Sequence, residues 1–126
     1  MRILVDTQAL LWWLMDSERL GPKARRIFLS DEPVISAVVL WEIAIKVSLG
    51  KLSADVAEVS RVIAEQGLER LGISDRHMIN LQALPFHHRD PFDRMLIAQS
   101  DAEDLPLLTS DAKIALYDVA TVDSTT

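Results

Sequence analysis

The sequence has no cysteine, and only four glycines and five prolines occur among its 126 residues. Without thiols it can form neither a disulfide framework nor a thiolate zinc site. Hydrophobic residues make up 49% of the chain, which is enough apolar surface to offset the entropy lost on ordering it. Disordered and collagen-like chains are therefore excluded, and the length predicts one compact domain over residues 1–126.

Long hydrophobic runs are absent as well. The longest unbroken apolar run, Ala9–Met15, has seven residues, whereas crossing a bilayer takes about 20. The apolar stretch Ile3–Val5 near the N-terminus is ended by Asp6, which is not the pattern of a secretory signal. We therefore expect no membrane span and a cytoplasmic protein.

Basic residues are the minority among the charged ones. The sequence has 13 Lys and Arg against 19 Asp and Glu, for a net charge of −6. Binding nucleic acid through a broad basic surface is disfavoured, because such binding depends on Lys and Arg displacing counterions. A cation held in an acidic pocket would still attract phosphate groups, so a local nucleic-acid site stays open.

Short buried runs alternate with longer helical patterns, which is typical of the α/β class. The predicted strands are Arg2–Val5, Pro33–Ser36, Leu68–Ile73, Leu107–Thr109 and Ala120–Val122. The predicted helices are Ala9–Met15, one after Gly21-Pro22, Ala37–Leu49, Ala54–Gln66 with a Ser53 cap, one from Ser74-Asp75 to Ala83, one from Asp90-Pro91 to Asp101, and a short one after Ser110-Asp111. Leu84–Arg89 is predicted to be a loop, and residues 123–126 are predicted to be frayed.

Four carboxylates stand out by their positions. Asp6 and Asp111 follow predicted strands, and in an open α/β sheet ligands gather where the strands end. Glu42 lies in a helix that is otherwise almost entirely apolar, where an unpaired carboxylate is costly to bury. Asp93 lies in the first turn of the helix that Asp90-Pro91 begins.

Each of these carboxylates also has a purely structural explanation. Asp6, Asp93 and Asp111 suit the N-terminal ends of helices, and Glu42 can pair with Lys46 one turn further on. Together, however, carboxylates that meet at one sheet edge repel each other unless a divalent cation lies between them. Oxygen ligands without Cys or His favour Mg²⁺ or Mn²⁺, so the four predict a metal site.

The remaining chemistry-bearing residues give weaker signals. The three histidines lack the i,i+4 spacing of a zinc-binding helix and are interpreted as solvated polar residues; they are His77, His87 and His88. Trp41 is predicted to lie in the core. The helix with Trp12-Trp13 is apolar nearly all round, so it is predicted to be either a core helix or one that also faces a partner.

Four motifs occur in the order and spacing of a known family and cover nearly the whole chain. They are Ile3–Trp12, Ile35-Ser36-Ala37 followed by Leu40–Lys46, His88–Gln99, and Leu107–Asp111. With these motifs the sequence resembles the PIN-domain nucleases, and among them the VapC-type toxins of bacterial toxin-antitoxin (VapBC) modules.

The resemblance implies a PIN-like fold, with a central parallel β-sheet flanked by α-helices, and a Mg²⁺-dependent endoribonuclease in which Mn²⁺ can substitute. The family's acidic positions fall on Asp6, Glu42 and Asp93, with a fourth, more variable one on Asp111. Asp90 leaves open which aspartate of the Asp-Pro-Phe-Asp motif binds metal, although Asp93 matches the family position. Similar proteins dimerise and are inhibited by a small antitoxin, so a homodimer and a VapB-like partner are expected.

In the expected mechanism, one or two metal ions held by these carboxylates activate a water that hydrolyses an RNA phosphodiester bond. Thr7, Ser36 and Thr109 are expected to hydrogen-bond the ligands or the metal's waters. Arg89 and Arg94 are expected to contact RNA phosphates, although surface arginines are more often only solvated.

Three rival functions remain open from the sequence. One is a non-catalytic interaction module that binds a partner through the Trp12-Trp13 helix, and another is a metal-dependent nuclease that acts on DNA. An aspartate directly after the first strand also permits a phosphoryl-accepting receiver domain.

Overall fold

The fold is organised around a parallel β-sheet. The computed structural model describes all 126 residues. Its strands are β1 (Arg2–Val5), β2 (Glu32–Ser36), β3 (Glu69–Leu71), β4 (Leu107–Thr109) and β5 (Thr121–Asp123). They form one sheet in the order β3-β2-β1-β4-β5, and every neighbouring pair is parallel. The predicted α/β class and parallel sheet are confirmed.

Six α-helices flank the sheet. They are α1 (Thr7–Leu14), α2 (Pro22–Ser30), α3 (Ala37–Ser48), α4 (Val56–Glu65), α5 (Asp75–Ala83) and α6 (Pro91–Glu103). The short helix predicted after Asp111 is a single 3₁₀ turn at Ile114–Leu116. No helix combines the length and the apolar character needed to cross a membrane.

The central strand β1 is the most deeply buried part of the sheet. Ile3, Leu4 and Val5 have no exposed surface, because a parallel strand covered on both faces carries a continuous apolar run. Leu4 lies opposite Val34 of β2 on one side and Leu107 of β4 on the other.

The order of the strands creates a crevice beside β1. From β1 the chain moves outward through β2 to β3, and it then returns to place β4 on the other side of β1. Where the connections from two neighbouring strands leave in opposite directions, a crevice opens at their carboxyl ends, and α/β proteins bind ligands there. The segments that follow Val5 and Thr109 therefore meet at one crevice.

The start of α4 differs from the prediction. The helix begins at Val56 rather than at Ala54, and its N-cap is Asp55 rather than Ser53. The Asp55 carboxylate accepts a hydrogen bond from the Ala57 amide at 3.0 Å. Several polar residues precede the apolar stripe of this helix, and the sequence pattern alone does not determine which one caps it.

Trp41 does not lie in the core, contrary to the prediction, and 51% of its surface is exposed. Successive residues of a helix point about 100° apart, so burying Glu42 turns its neighbour Trp41 towards the outside. The Trp41 ring packs edge-to-face against Phe92 of α6, with 5.0 Å between the ring centroids.

Residues 123–126 are packed against the start of α2, so the prediction of a frayed end is wrong. Ser124 has no exposed surface, and its carbonyl oxygen accepts a hydrogen bond from the Gly21 amide at 3.0 Å. The Thr126 carbonyl oxygen accepts one from the Lys23 amide at 2.8 Å. Because α2 has no side-chain N-cap, these carbonyl groups satisfy amides that a helix start leaves unpaired.

Candidate metal centre

A pocket of about 280 Å³ lies where β1 and β4 end. Five carboxylates line it, from Asp6, Glu42, Asp90, Asp93 and Asp111. Lys46 is the only cationic residue of the lining and Leu11 the only hydrophobic one; Thr7, Gln8 and Ser110 complete it. This composition is typical of a site for a positively charged ligand.

The four carboxylates predicted to bind metal reach the pocket from four separate segments. Asp6 follows β1 and caps α1, Glu42 lies in α3, Asp93 lies in the first turn of α6, and Asp111 follows β4. The fold thus places all four side chains around one pocket. The capping explanation for Asp6 is also correct, because its Oδ1 accepts a hydrogen bond from the Ala9 amide at 2.7 Å.

Asp6 is buried, with 6% of its surface exposed. Burial raises the pKa of its carboxyl group to about 6, because the charged form loses contact with water. Hydrogen bonds from Thr109 and the Ala9 amide oppose this rise, whereas the negative charges of Glu42 and Asp111 add to it.

Asp93 shows the same effect more strongly. Burial, together with the nearby charges of Asp90 and Glu42, raises its pKa to about 7, while His88 acts in the opposite direction. Near neutral pH, a divalent cation among these side chains would relieve both the burial cost and the repulsion. Carboxylate oxygens in this arrangement suit Mg²⁺ or Mn²⁺.

Glu42 forms the predicted ion pair and lines the pocket as well. It is 5% exposed, and its Oε2 lies 2.7 Å from the Lys46 Nζ. The Thr7 hydroxyl donates a hydrogen bond to the other oxygen, Oε1, at 2.6 Å. A hydrogen bond to Glu42 and its charge raise the pKa of Lys46, so the pocket contains a firmly protonated ammonium group beside one of its carboxylates.

Asp90 and Asp93 differ in their surroundings, although both line the pocket. Asp90 is the N-cap of α6, and its Oδ1 accepts hydrogen bonds from the amides of Phe92 and Asp93 at 2.9 and 3.0 Å. No backbone amide donates to the Asp93 carboxylate, and only its Oδ2 has a close partner, the His88 Nε2 at 2.9 Å. This difference favours Asp93 as the metal-binding aspartate of the pair.

The three hydroxyl residues predicted to support the site have different positions. The Thr7 hydroxyl contacts Glu42 directly. The Thr109 hydroxyl lowers the pKa of Asp6, and its oxygen accepts a hydrogen bond from the Asp111 amide at 3.1 Å. Ser36 is fully buried as the N-cap of α3 and does not line the pocket. Its hydroxyl oxygen instead accepts a hydrogen bond from the backbone amide two residues further along.

The predicted RNA contact of Arg94 is contradicted by its position. Its side chain is buried, and its Nη1 donates hydrogen bonds to the Pro85 carbonyl at 2.9 Å and to the Tyr117 hydroxyl at 3.3 Å. The guanidinium also lies over the Phe86 ring. Arg94 therefore braces the loop before α6. Arg89 is exposed and forms no ion pair, so it remains available to a ligand.

Two of the histidines predicted to be solvated are buried. His77 is 2% exposed, and its Nδ1 accepts a hydrogen bond from the Ser74 amide at the start of α5. The Nε2 atom of His88 lies 2.9 Å from Asp93 Oδ2 and 2.8 Å from Asp111 Oδ2. The sequence offers one signal that His88 lies near the site, because it comes two residues before the N-cap of the helix that carries Asp93. Two further lining residues are not predicted from the sequence: Gln8, three residues after β1, and Ser110, directly after β4.

Comparisons with known proteins bear on the fold. A family model for the PIN domain matches residues 3–120. No curated protein sequence gives a significant match. Among solved structures, VapBC2 from Rickettsia felis bound to a DNA fragment from its promoter matches with a TM-score of 0.75 at 15% identity, covering 97% of this chain and 98% of the other. VapBC-1 from nontypeable Haemophilus influenzae matches with a TM-score of 0.67 at 20% identity, covering 100% of both chains. VapBC-5 from Mycobacterium tuberculosis matches with a TM-score of 0.63 at 20% identity, covering 95% of this chain and 93% of the other.

Proposed function

Because this chain belongs to the PIN domain family, we propose that it is a Mg²⁺-dependent endoribonuclease, with residues 1–126 forming a single PIN domain. The observation that carries this proposal is the meeting of Asp6, Glu42, Asp93 and Asp111 in one pocket. Carboxylates that share one pocket repel each other, and a divalent cation bound between them removes this repulsion. We assign these four as the metal ligands and catalytic residues.

When bound, Mg²⁺ supplies the positive charge that activates a water and stabilises the charge developing on the phosphate. The chain's part is to hold its carboxylates in position. Thr7 fixes one oxygen of Glu42, and the Ala9 amide fixes one oxygen of Asp6. Lys46 lines the pocket, and the exposed Arg89 directly precedes Asp90 of its lining, so we assign contacts with RNA phosphates to these two residues.

We further propose that the protein is the toxin of a VapBC-type pair and acts in the cytoplasm as a homodimer. Three solved toxin-antitoxin structures share its fold over at least 95% of this chain. The expected partner is a small VapB-like antitoxin. An interaction module without catalysis is disfavoured, because it would have no use for two aspartates whose pKa values are raised by burial at one pocket.

The test is cleavage of an end-labelled RNA by the purified protein with Mg²⁺ and with EDTA. Cleavage should require Mg²⁺ or Mn²⁺, and Asp93→Asn should abolish it without unfolding the protein. Asp118→Asn, on the exposed surface, is the matched control and should retain full activity. Undiminished cleavage by Asp93→Asn would refute the assigned chemistry, whereas cleavage of DNA alone would keep the metal site and replace the substrate.

A further inference from the structure

His88 is the one nitrogen ligand candidate beside the carboxylate pocket, and it lies between two of the assigned metal ligands. Its Nε2 is 2.9 Å from Asp93 Oδ2 and 2.8 Å from Asp111 Oδ2. One ligand atom from each of the three residues lies within 4.8 Å of the other two. The residue is 9% exposed, so water does not compete freely for these contacts. Either His88 is itself a metal ligand, or its Nε2–H group bridges the two carboxylates.

The other ring nitrogen distinguishes these two roles. The Asp90 backbone amide donates a hydrogen bond to His88 Nδ1 at 3.2 Å. An atom that accepts a hydrogen bond carries a lone pair, so in the neutral ring the proton is on Nε2. Nε2 then donates its hydrogen bond to Asp111 Oδ2, and the same N–H group lies 2.9 Å from Asp93 Oδ2. To bind a metal, Nε2 would have to lose this proton to Nδ1, where it would point at the Asp90 N–H.

The position of the ring is fixed by a braced loop. The His88 amide donates a hydrogen bond to the Tyr117 hydroxyl at 2.9 Å, and that hydroxyl donates to the Pro85 carbonyl at 2.7 Å. Arg94 donates to the same carbonyl at 2.9 Å and to the same hydroxyl at 3.3 Å. Tyr117 and Arg94 are both buried. The ring is therefore held from outside the pocket, independently of any ligand inside it.

One N–H group between two carboxylates offsets their repulsion and leaves lone pairs free on each. Asp93 is carried by α6 and Asp111 by the segment after β4, so no backbone connection nearby fixes the distance between them. We propose that His88 is a positioning residue, whose Nε2–H holds Asp93 and Asp111 together in the arrangement that binds a divalent cation. This proposal rests on the metal-dependent function proposed above.

The test compares three variants of the full chain by calorimetric titration with Mn²⁺ alone. His88→Leu keeps an apolar side chain of similar bulk but removes the donor, and it should weaken Mn²⁺ binding about 10- to 100-fold. His88→Gln places an amide N–H near the position of Nε2 and should recover most of the affinity. His87→Leu, a change of the exposed neighbour in the same loop, is the matched control and should bind Mn²⁺ like the unchanged protein.

The outcomes separate this proposal from the one on which it rests. If the unchanged protein binds no Mn²⁺, the metal-dependent function itself fails. If it binds Mn²⁺ and the Leu variant binds as tightly, the function stands and the role of His88 is refuted. A third outcome is that His88→Leu and His88→Gln both lose Mn²⁺ binding while His87→Leu keeps the affinity of the unchanged protein. This result would indicate that the ring itself binds the metal, and it would also overturn the proposal.

A second measurement on the unchanged protein does not depend on any variant folding. In ¹⁵N NMR spectra of histidine-labelled protein at pH 7.5, His88 should show a protonated Nε2 and an unprotonated Nδ1, both in EDTA and with saturating Mg²⁺. Loss of the proton from Nε2 on adding Mg²⁺ would mean that the ring binds the metal, and the positioning role would then be wrong.

Discussion

Replacing Asp6 by Asn should make the metal-free protein more stable at neutral pH, although it destroys the proposed metal site. The pKa of Asp6 is about 6 in the folded protein and 3.8 ordinarily. The folded state therefore binds the proton more tightly than the unfolded state does. Stability contributed by this group is complete below about pH 3.8, is lost as the pH rises, and is gone above about pH 6.

The size of the effect follows from this difference in pKa. At about 1.4 kcal/mol for each pKa unit, the charged Asp6 costs the folded state up to about 3 kcal/mol above pH 6. Asn is never charged, and its side-chain oxygen can still accept the hydrogen bond from the Ala9 amide at the helix start. Relaxation of the surroundings reduces the gain, so we expect about 1 to 3 kcal/mol, or roughly 3 to 10 °C in melting temperature.

The assay is urea unfolding of both proteins in EDTA, at pH 7.5 and at pH 4. Asp6→Asn should be the more stable protein at pH 7.5, and the difference should shrink towards pH 4, where Asp6 is protonated. Asp118→Asn, an exposed aspartate, should show no such difference. Saturating Mg²⁺ should stabilise the unchanged protein, by about 2.7 kcal/mol at 100 times the Kd, and should leave Asp6→Asn nearly unaffected. A variant less stable than the unchanged protein at pH 7.5 in EDTA would refute the reasoning.

Two further predictions address a cation and a glycine. Lys46→Met should tighten Mn²⁺ binding, because the ammonium group 2.7 Å from Glu42 Oε2 competes with the metal for that carboxylate; calorimetric titration measures this, and weaker binding would show that Lys46 helps to hold the site together. Gly21→Ala should lower the free energy of unfolding by about 1 to 3 kcal/mol, because an added Cβ would overlap backbone atoms of Thr126. Urea unfolding measures this loss, with Gly72→Ala as the control, because an added Cβ at Gly72 meets no atom within 4 Å. Equal stabilities of the two variants would contradict the observed packing of residues 123–126 against α2.

The parts of the site that could be predicted are those fixed by the backbone. Strand β1 occupies the predicted residues, so Asp6 follows it as predicted, and Asp111 likewise follows β4. A parallel sheet brings the ends of its strands to one edge whatever the side chains are. Glu42 could be recognised because a carboxylate in an apolar helix needs a partner. These three positions required no knowledge of how loops pack.

The parts that could not be predicted depend on contacts between residues far apart in the sequence. His88 is buried because its amide contacts the hydroxyl of Tyr117, 29 residues further on. Arg94 lies in a helix start next to Asp93, but its guanidinium turns away to the carbonyls of the preceding loop. A histidine in a loop and an arginine in a polar segment are usually solvated, and no local pattern marks these two as exceptions.

The carboxylates of the pocket affect the stability of the fold in two opposite ways. Asp6 and Asp90 cap the helices that begin at the crevice, and such caps favour the fold. The same carboxylates, together with Glu42 and Asp93, repel each other across the pocket, and this repulsion opposes the fold until a cation is bound. Asparagine retains a capping oxygen and removes the charge, whereas alanine removes both. Substitution by asparagine therefore separates the metal site from the folding of the helices around it, and a loss of activity in such variants can be assigned to the site itself.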